Sequence, residues 1–345
     1  MSRRSFLKTS ALAGASALAG GFSMPLTAQA QQGAPPSATG RPIQIIMGGY
    51  GPATTGFSVA LKQIGDRLEA RFGDRVDVKY VYNIMDLGYQ GQDILWLVES
   101  GVLTLGYQSS SYMTDRVPEL GLADVPFLFS DTATARAAID GRFGELMARA
   151  IEANMNYRIL GYFENGFRHI SNRVRPIHSP ADMAGLKIRV LPSQILAWTF
   201  ELFGADPEIM DLSTAIARIK EGTIDAQENP FANTVTYGVH NYHRYHSVTN
   251  HLYLSRPIFL HRQSFDAWPA DVQAEMRAAV KDAVAVQRDA HVQEEVDAAG
   301  VIREVGGEII ELTAGEMQPF KAAVAPIYED ARKRYSRELL DLVGI

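Results

Sequence analysis

Cysteine is absent from this 345-residue chain, which removes disulfides, thiolate nucleophiles, zinc ribbons and iron–sulfur clusters together. Positive charge is in deficit, with 33 Lys and Arg against 39 Asp and Glu and a net charge of −6. A dedicated nucleic-acid binder needs clustered cations to neutralise phosphates, so that class is excluded. Beyond the first thirty residues no apolar run reaches the ~18 residues of a membrane-spanning helix. No unit of about 20–50 residues repeats, which argues against a solenoid. What is present is a chain 46% hydrophobic and 21% charged. That is enough apolar material for packed cores and, at this length, for two domains.

The N-terminus reads as an address. Ser2-Arg3-Arg4-Ser5-Phe6-Leu7-Lys8 precedes a soft Ala/Gly-rich stretch, and Ala28-Gln29-Ala30 offers small residues for cleavage after Ala30. A charged start, an apolar middle and a small-residue site make a signal peptide over 1–30. The Arg pair with Phe6-Leu7-Lys8 resembles the twin-arginine export motif, which implies a periplasmic protein delivered already folded. Residues 31–40, rich in Pro, Gly and Ser, read as a linker before the fold begins at Arg41.

Strand and helix patterns then alternate. Ile43–Met47, Val76–Val81 and Leu103–Tyr107 read as strands, with helices at Phe57–Leu68 and Gly91–Glu99 between them. This is the signature of an α/β domain with a largely parallel sheet, whose ligands bind at loops beyond the carboxyl ends of the strands. The alternation restarts with strands at Tyr157–Tyr162, Ile188–Val190 and just before Met210, and helices at Gln194–Phe203 and Ser213–Lys220. His251–Phe259 is a further β-rich run, expected to return to the first unit. From Asp271 to Ala299 no Gly or Pro interrupts a helical pattern, with Trp268-Pro269 before it and Gly300 after. Such a helix is roughly 43 Å long, enough to span both units. The expected division is lobe I at 41–160 and 252–270, lobe II at 161–251 and 300–345, and a spanning helix at 271–299.

Enzyme signatures are missing. Gly48-Gly49-Tyr50-Gly51 is neither a phosphate loop nor a dinucleotide fingerprint, and no Gly-x-Ser-x-Gly elbow occurs. His240, His243, His246 and His251 cluster without a carboxylate among them; a catalytic zinc wants three converging ligands, so they read as polar loop histidines. Ser109, Ser110 and Ser111 lack a base and read as hydrogen-bond donors in a loop. Arg189 is different. It lies between Ile188 and Val190 in a strand that reads as buried, and an arginine there keeps its charge and is costly to bury alone. Either an internal acid pairs with it, or an anionic ligand does, since the guanidinium fork matches a carboxylate.

Several segments together resemble the solute-binding proteins of tripartite ATP-independent periplasmic (TRAP) transporters, the DctP-type family. They are Asn165-Gly166-Phe167-Arg168, Asp182–Val190, Asp225-Ala226-Gln227-Glu228-Asn229-Pro230, Leu87-Gly88, Pro126-Phe127-Leu128-Phe129 and the long helix. The resemblance implies an α/β, two-lobed periplasmic binding protein fold with hinge strands and a helix across both lobes. It implies a protein that is no enzyme and has no cofactor, capturing a small organic acid between the lobes for TRAP permease membrane subunits. By the same resemblance Arg189 grips the ligand carboxylate, Asn229 contacts that carboxylate and Arg168 is a second arginine facing the cleft. Gln108 selects the remainder of the ligand, and Tyr50 and Tyr112 wall the cleft. Ala226 stands where a glycine is common, and Leu191 separates Val190 from Pro192. The Glu-Asn-Pro form differs from the subgroup that carries Glu-Trp and binds oxoacids with a metal, so no metal is expected. Tyr50, Tyr82, Tyr89, Tyr107 and Tyr112 crowd the first-lobe loops, suiting an aromatic or sugar-like acid, or ordinary packing. A monomer is expected. The competing readings are a binding protein for another importer or a sensor, and an exported enzyme.

Overall fold

The computed structural model describes residues 40–345, so the expected signal peptide and all but the last residue of the linker lie outside the described residues. Nine strands form one sheet: β1 (Ile43–Gly48), β2 (Val76–Val81), β3 (Leu105–Tyr107), β4 (Tyr157–Asn172), β5 (Lys187–Val190), β6 (Asp206–Ile209), β7 (Ala226–Asn229), β8 (Tyr245–His261) and β9 (Glu308–Glu311). Their order is β2-β1-β3-β8-β4-β7-β5-β6, with β9 beside β8. The two ends of the sheet are parallel, as the βαβ pattern predicts. They are joined through antiparallel contacts of β3 with β8, β8 with β4, and β4 with β7. The β-rich run at 251–259 does return to the first unit, and it starts earlier, at Tyr245.

Strands β4 and β8 are far longer than their sequence suggests. Tyr157–Tyr162 reads as a complete strand, yet β4 runs on through Asn165-Gly166 to Asn172. Three register shifts absorb these residues, between Ile159 and Gly161, Glu164 and Gly166, and Arg168 and Ile170. Gly166 has φ +81°, which an L side chain adopts only with strain. A Cβ there would also lie 2.4 Å from His291 Nε2. The bulges bend the strand and re-aim its side chains, and two of them bracket Arg168.

The long helix spans Ala270–Glu304, or ~52 Å at 1.5 Å per residue. It passes through Gly300, which therefore does not end it. Val272, Met276, Ala279, Val280 and Ala283 form its buried stripe, and the polar Gln287 and His291 continue that stripe. Gln287 is fixed by two bonds to one residue of β4, accepting from Glu164 N at 2.8 Å and donating to Glu164 O at 2.9 Å. Two turns on, Glu294 accepts from Gly56 N at 2.6 Å, at the start of the first helix, Gly56–Phe72. Glu295 accepts from Phe231 N and Ala232 N, at the start of the helix Phe231–Thr236. Adjacent acids thus serve helices that follow β1 and β7, from opposite ends of the sheet.

The histidine cluster is not a set of loop residues. His246 and His251 lie within β8, and His243 just before it; all three are buried. Burial favours the neutral imidazole, pushing His169 and His243 down to about 3 and His246 and His291 down to about 4. His251 is also lowered, by burial against the opposing pull of Glu228. Among the described residues no group of three or more His, Asp or Glu is arranged to hold a metal ion.

Two outcomes follow. Gly166→Ala is expected to lose about 2 kcal/mol or more of stability through its positive φ and the His291 contact, measured by urea unfolding. The second concerns pH. Five buried histidines with lowered pKa leave the folded state with fewer protons than the unfolded state below about pH 6.5. Burial raises Asp124 and Glu295 to about 7 and also raises Glu294, so these three acids act in the opposite sense. The histidines outnumber the acids, so unfolding near pH 5.5 takes up protons and stability rises with pH through this window. Calorimetric melts from pH 5 to 7 should show Tm rising; a falling Tm would mean the acids dominate.

Candidate functional site

Arg189 sits on β5 between β6 and β7, 1% exposed. Its Nε donates to Met210 O at 3.1 Å and its Nη2 to the Tyr112 hydroxyl at 2.9 Å. Both partners are neutral oxygens. Of the two possibilities open at the sequence level, an internal acid is not realised among the described residues: Arg189 forms no ion pair there. Tyr112 comes from the turn after β3, so this bond joins the two ends of the sheet. Burial pushes the Tyr112 phenol up to about 12, against the lowering effect of Arg189.

Arg168 meets the opposite fate. Also 1% exposed, it donates from Nε and Nη2 to the two carboxylate oxygens of Glu228, the second bond at 2.9 Å. Burial alone would raise Glu228, but the Arg168 charge and the bonds from His251 and Arg168 hold it down at about 2. Arg168 lines the cavity with its charge already matched. The Asp225–Pro230 segment can now be read physically. Glu228 neutralises Arg168, Asn229 faces the cavity, and Pro230 starts a helix where a missing N–H costs nothing.

Asn229 Nδ2 donates to Gln227 Oε1 at 3.0 Å. Gln108 is fixed to the backbone at both ends, donating to Gly91 O and accepting from Ser109 N, each at 2.8 Å. Tyr50 is 3% exposed, and its hydroxyl is buried without a hydrogen-bond partner among the described residues. All six residues named from the sequence, Tyr50, Gln108, Tyr112, Arg168, Arg189 and Asn229, border one cavity with about 240 Å³ of empty space, its mouth included. Of the other crowded tyrosines, Tyr107 packs on Tyr50 with ring centroids 5.3 Å apart. Tyr82 stacks on Tyr80, and Tyr89 meets Trp96; neither borders the cavity. Among the serines, Ser111 donates to the buried Asp124 carboxylate at 2.7 Å, as a hydrogen-bond donor should.

Six further residues border the cavity: Ser109, Leu191, Leu212, Asn233, Tyr237 and Arg256. Asn233 lies one helical turn after Asn229 and donates to Asn165 Oδ1 at 2.9 Å. Arg256 has the same sequence signal as Arg189, a cation within an apolar strand run, Leu252–Leu260. An adjoining hollow of about 310 Å³ shares Asn233, Tyr237 and Arg256 with the first.

The Arg168–Glu228 pair is fully desolvated, so breaking it strands a charge. Glu228→Gln is expected to destabilise the protein by ~3–5 kcal/mol, and the double variant Arg168→Met/Glu228→Met by less. Chemical denaturation of the three proteins measures this, and equal losses for single and double variants would deny the coupling.

Comparison with known proteins places this geometry. Residues 47–334 match the DctP model, described as bacterial extracellular solute-binding protein, family 7. The chain is 30% identical to a solute-binding protein of Verminephrobacter eiseniae over 83% of its own length and 84% of that protein's. It is 29% identical to the 2,3-diketo-L-gulonate-binding periplasmic protein YiaO of Escherichia coli, over 73% of its length and 76% of that protein's. A solved TRAP periplasmic solute-binding protein from Polaromonas sp. JS666, bound to D-erythronate, superposes with a TM-score of 0.81 at 26% identity, covering 87% of this chain and 97% of that one. The sheet joined by two long strands and the helix across them are thus the two-lobed binding-protein fold of TRAP systems, and the chain belongs to the DctP family of bacterial extracellular solute-binding proteins, family 7.

Proposed function

We propose that this protein captures an organic acid by its carboxylate in the cavity around Arg189 and delivers it to the membrane subunits of a TRAP transporter. The observation that carries this is a buried guanidinium whose hydrogen-bond partners among the described residues are neutral oxygens. A carboxylate from outside supplies the missing charge and accepts the fork of N–H donors. Asn229 contacts the same carboxylate, while Gln108, Tyr50 and Tyr112 shape the rest of the cavity. Arg168 contributes positive potential through a guanidinium already anchored by Glu228. The relatives that bind 2,3-diketo-L-gulonate and D-erythronate make hydroxylated acids the first compounds to try.

The proposed cycle is one of population shift. Lobe I at 41–160 and 252–270 and lobe II at 161–251 and 300–345 hinge about β4 and β8, with the long helix across both. Ligand contacts from both lobes favour the closed form, which the permease recognises. No bond is made or broken. Export by the twin-arginine route, cleavage after Ala30 and a monomeric state complete the proposal.

A thermal-shift screen of sugar acids, other organic acids, aromatic acids and neutral sugars tests it. A carboxylate at about a hundred times its Kd should stabilise the protein by ~2.7 kcal/mol. Arg189→Ala should cost about a hundredfold or more in affinity, since removing one partner of a desolvated charge pair costs ~2–5 kcal/mol. Hits confined to neutral sugars, or normal binding by Arg189→Ala, would overturn the assignment.

A further inference from the structure

We infer that Asp211 is an interlobe latch, a positioning residue that holds the cleft shut without touching the ligand. This rests on the two-lobed closure proposed above and adds the contact that sustains it. Asp211 is 6% exposed and follows β6, the last strand in the sheet order. Its carboxylate accepts from Gly91 N at 3.2 Å and from Gln92 N at 2.9 Å. Those amides lie on the segment after β2, the strand at the opposite end of the order. Seven strand steps separate β2 from β6 along the sheet, or ~34 Å at ~4.8 Å per step. A direct bond between segments that follow the two edge strands forms only while the halves lie against each other, so opening the cleft breaks it.

The same carboxylate is anchored in its own half. It caps the helix Leu212–Lys220, accepting from Ser213 N at 2.9 Å and from Ser213 Oγ at 2.7 Å. One side chain thereby serves two segments: the cap fixes where it points, and the Gly91 and Gln92 amides are what it meets across the cleft. Hydrogen bonds to an ionised acceptor are among the stronger ones. Closing moves the carboxylate from water onto backbone donors already placed to receive it, and opening returns both to water. The latch therefore biases the equilibrium between open and closed forms and leaves it reversible.

Its position couples it to the cavity from outside. Asp211 does not border the cavity, but its chain neighbours meet it: Met210 O accepts from Arg189 Nε at 3.1 Å, and Leu212 is part of the wall. Across the cleft, Gly91 O accepts from Gln108 Nε2 at 2.8 Å. Both sides of the latch are thus one bond or one residue from side chains proposed to hold the ligand. The bond from Arg189 to Tyr112 also joins the halves, but it occupies a guanidinium that the ligand itself requires. The Asp211 contact competes with nothing in the cavity. It sets how long the cleft stays shut, not which compound is selected.

A chain without cysteine permits a direct test. A Cβ placed on Gly91 lies 3.7 Å from Leu212 Cβ, within the ~3.5–4.5 Å of a disulfide, and both residues are buried in this structure. In the ligand-free exported protein carrying Gly91→Cys and Leu212→Cys, disulfide formation under mild oxidation reports the closed cleft, and thiol alkylation by iodoacetamide reports the open one. The ratio of the two rates is expected to fall at least about fivefold when Asp211→Ser is added, as loss of a charge-assisted bond implies. Serine still caps the helix but is too short to reach Gly91 and Gln92, so far-UV circular dichroism should not change. Should Asp211→Ser not fold, Asp211→Asn serves instead; it keeps the cap and one acceptor oxygen, and a fall of about threefold is expected. A smaller fall in the variant used would overturn the latch and leave the closure reading standing. Thiols that resist alkylation in every protein would show that no open form is reached, which removes the two-lobed closure beneath it.

Discussion

Everything in this protein hangs on the pairing of two long antiparallel strands, β4 and β8. They connect the parallel ends of the sheet, and their inner residues are buried almost without interruption. Tyr157 stacks on Phe259 at 4.6 Å at one end of the pair, and the bulges around Glu164–Gly166 bend its middle. The long helix is tied to that bend through both polar groups of the Gln287 amide. Two of the bulges bracket Arg168, so the bend they impose lies beside the cavity that Arg168 borders.

The same strands deliver the charges. Arg168 comes from β4, Arg256 from β8 and Arg189 from β5 beyond them. Three chemically identical groups, all nearly inaccessible to water, are treated in three ways. One is neutralised by an internal acid, one is held by a carbonyl and a phenol, and one is laid against aromatic rings. Burial costs each of them a similar hydration energy, and among the described residues the first alone is matched by a carboxylate.

Much of this was readable in advance, for identifiable reasons. An arginine flanked by Ile188 and Val190 cannot be an ordinary core residue, and that anomaly marked Arg189. Arg256, between Ser255 and Pro257 in an equally apolar run, carries the same anomaly. The alternation of short strands and helices revealed the α/β units, but it could not reveal that β4 continues through Gly166. Glycine marks either a break or a bulge, and only the partner strand decides which. The extra turn of the long helix beyond Gly300 was hidden for the same reason. Arg168 was placed at the cavity by resemblance, yet its pairing with Glu228, sixty positions away, is a tertiary fact with no local signature.

The adjacent carboxylates of the long helix carry a mechanical consequence. Successive residues on a helix point ~100° apart, so Glu294 and Glu295 reach in different directions from one point on the rod. Each accepts from the leading amides of a different helix and is half-buried. If the cleft gapes by tilting either half away from the rod, one carboxylate loses its amides. If the halves twist around the rod, both grips can persist. The long helix thus serves as an axle gripped from two sides, which favours torsion over the simple parting of two jaws.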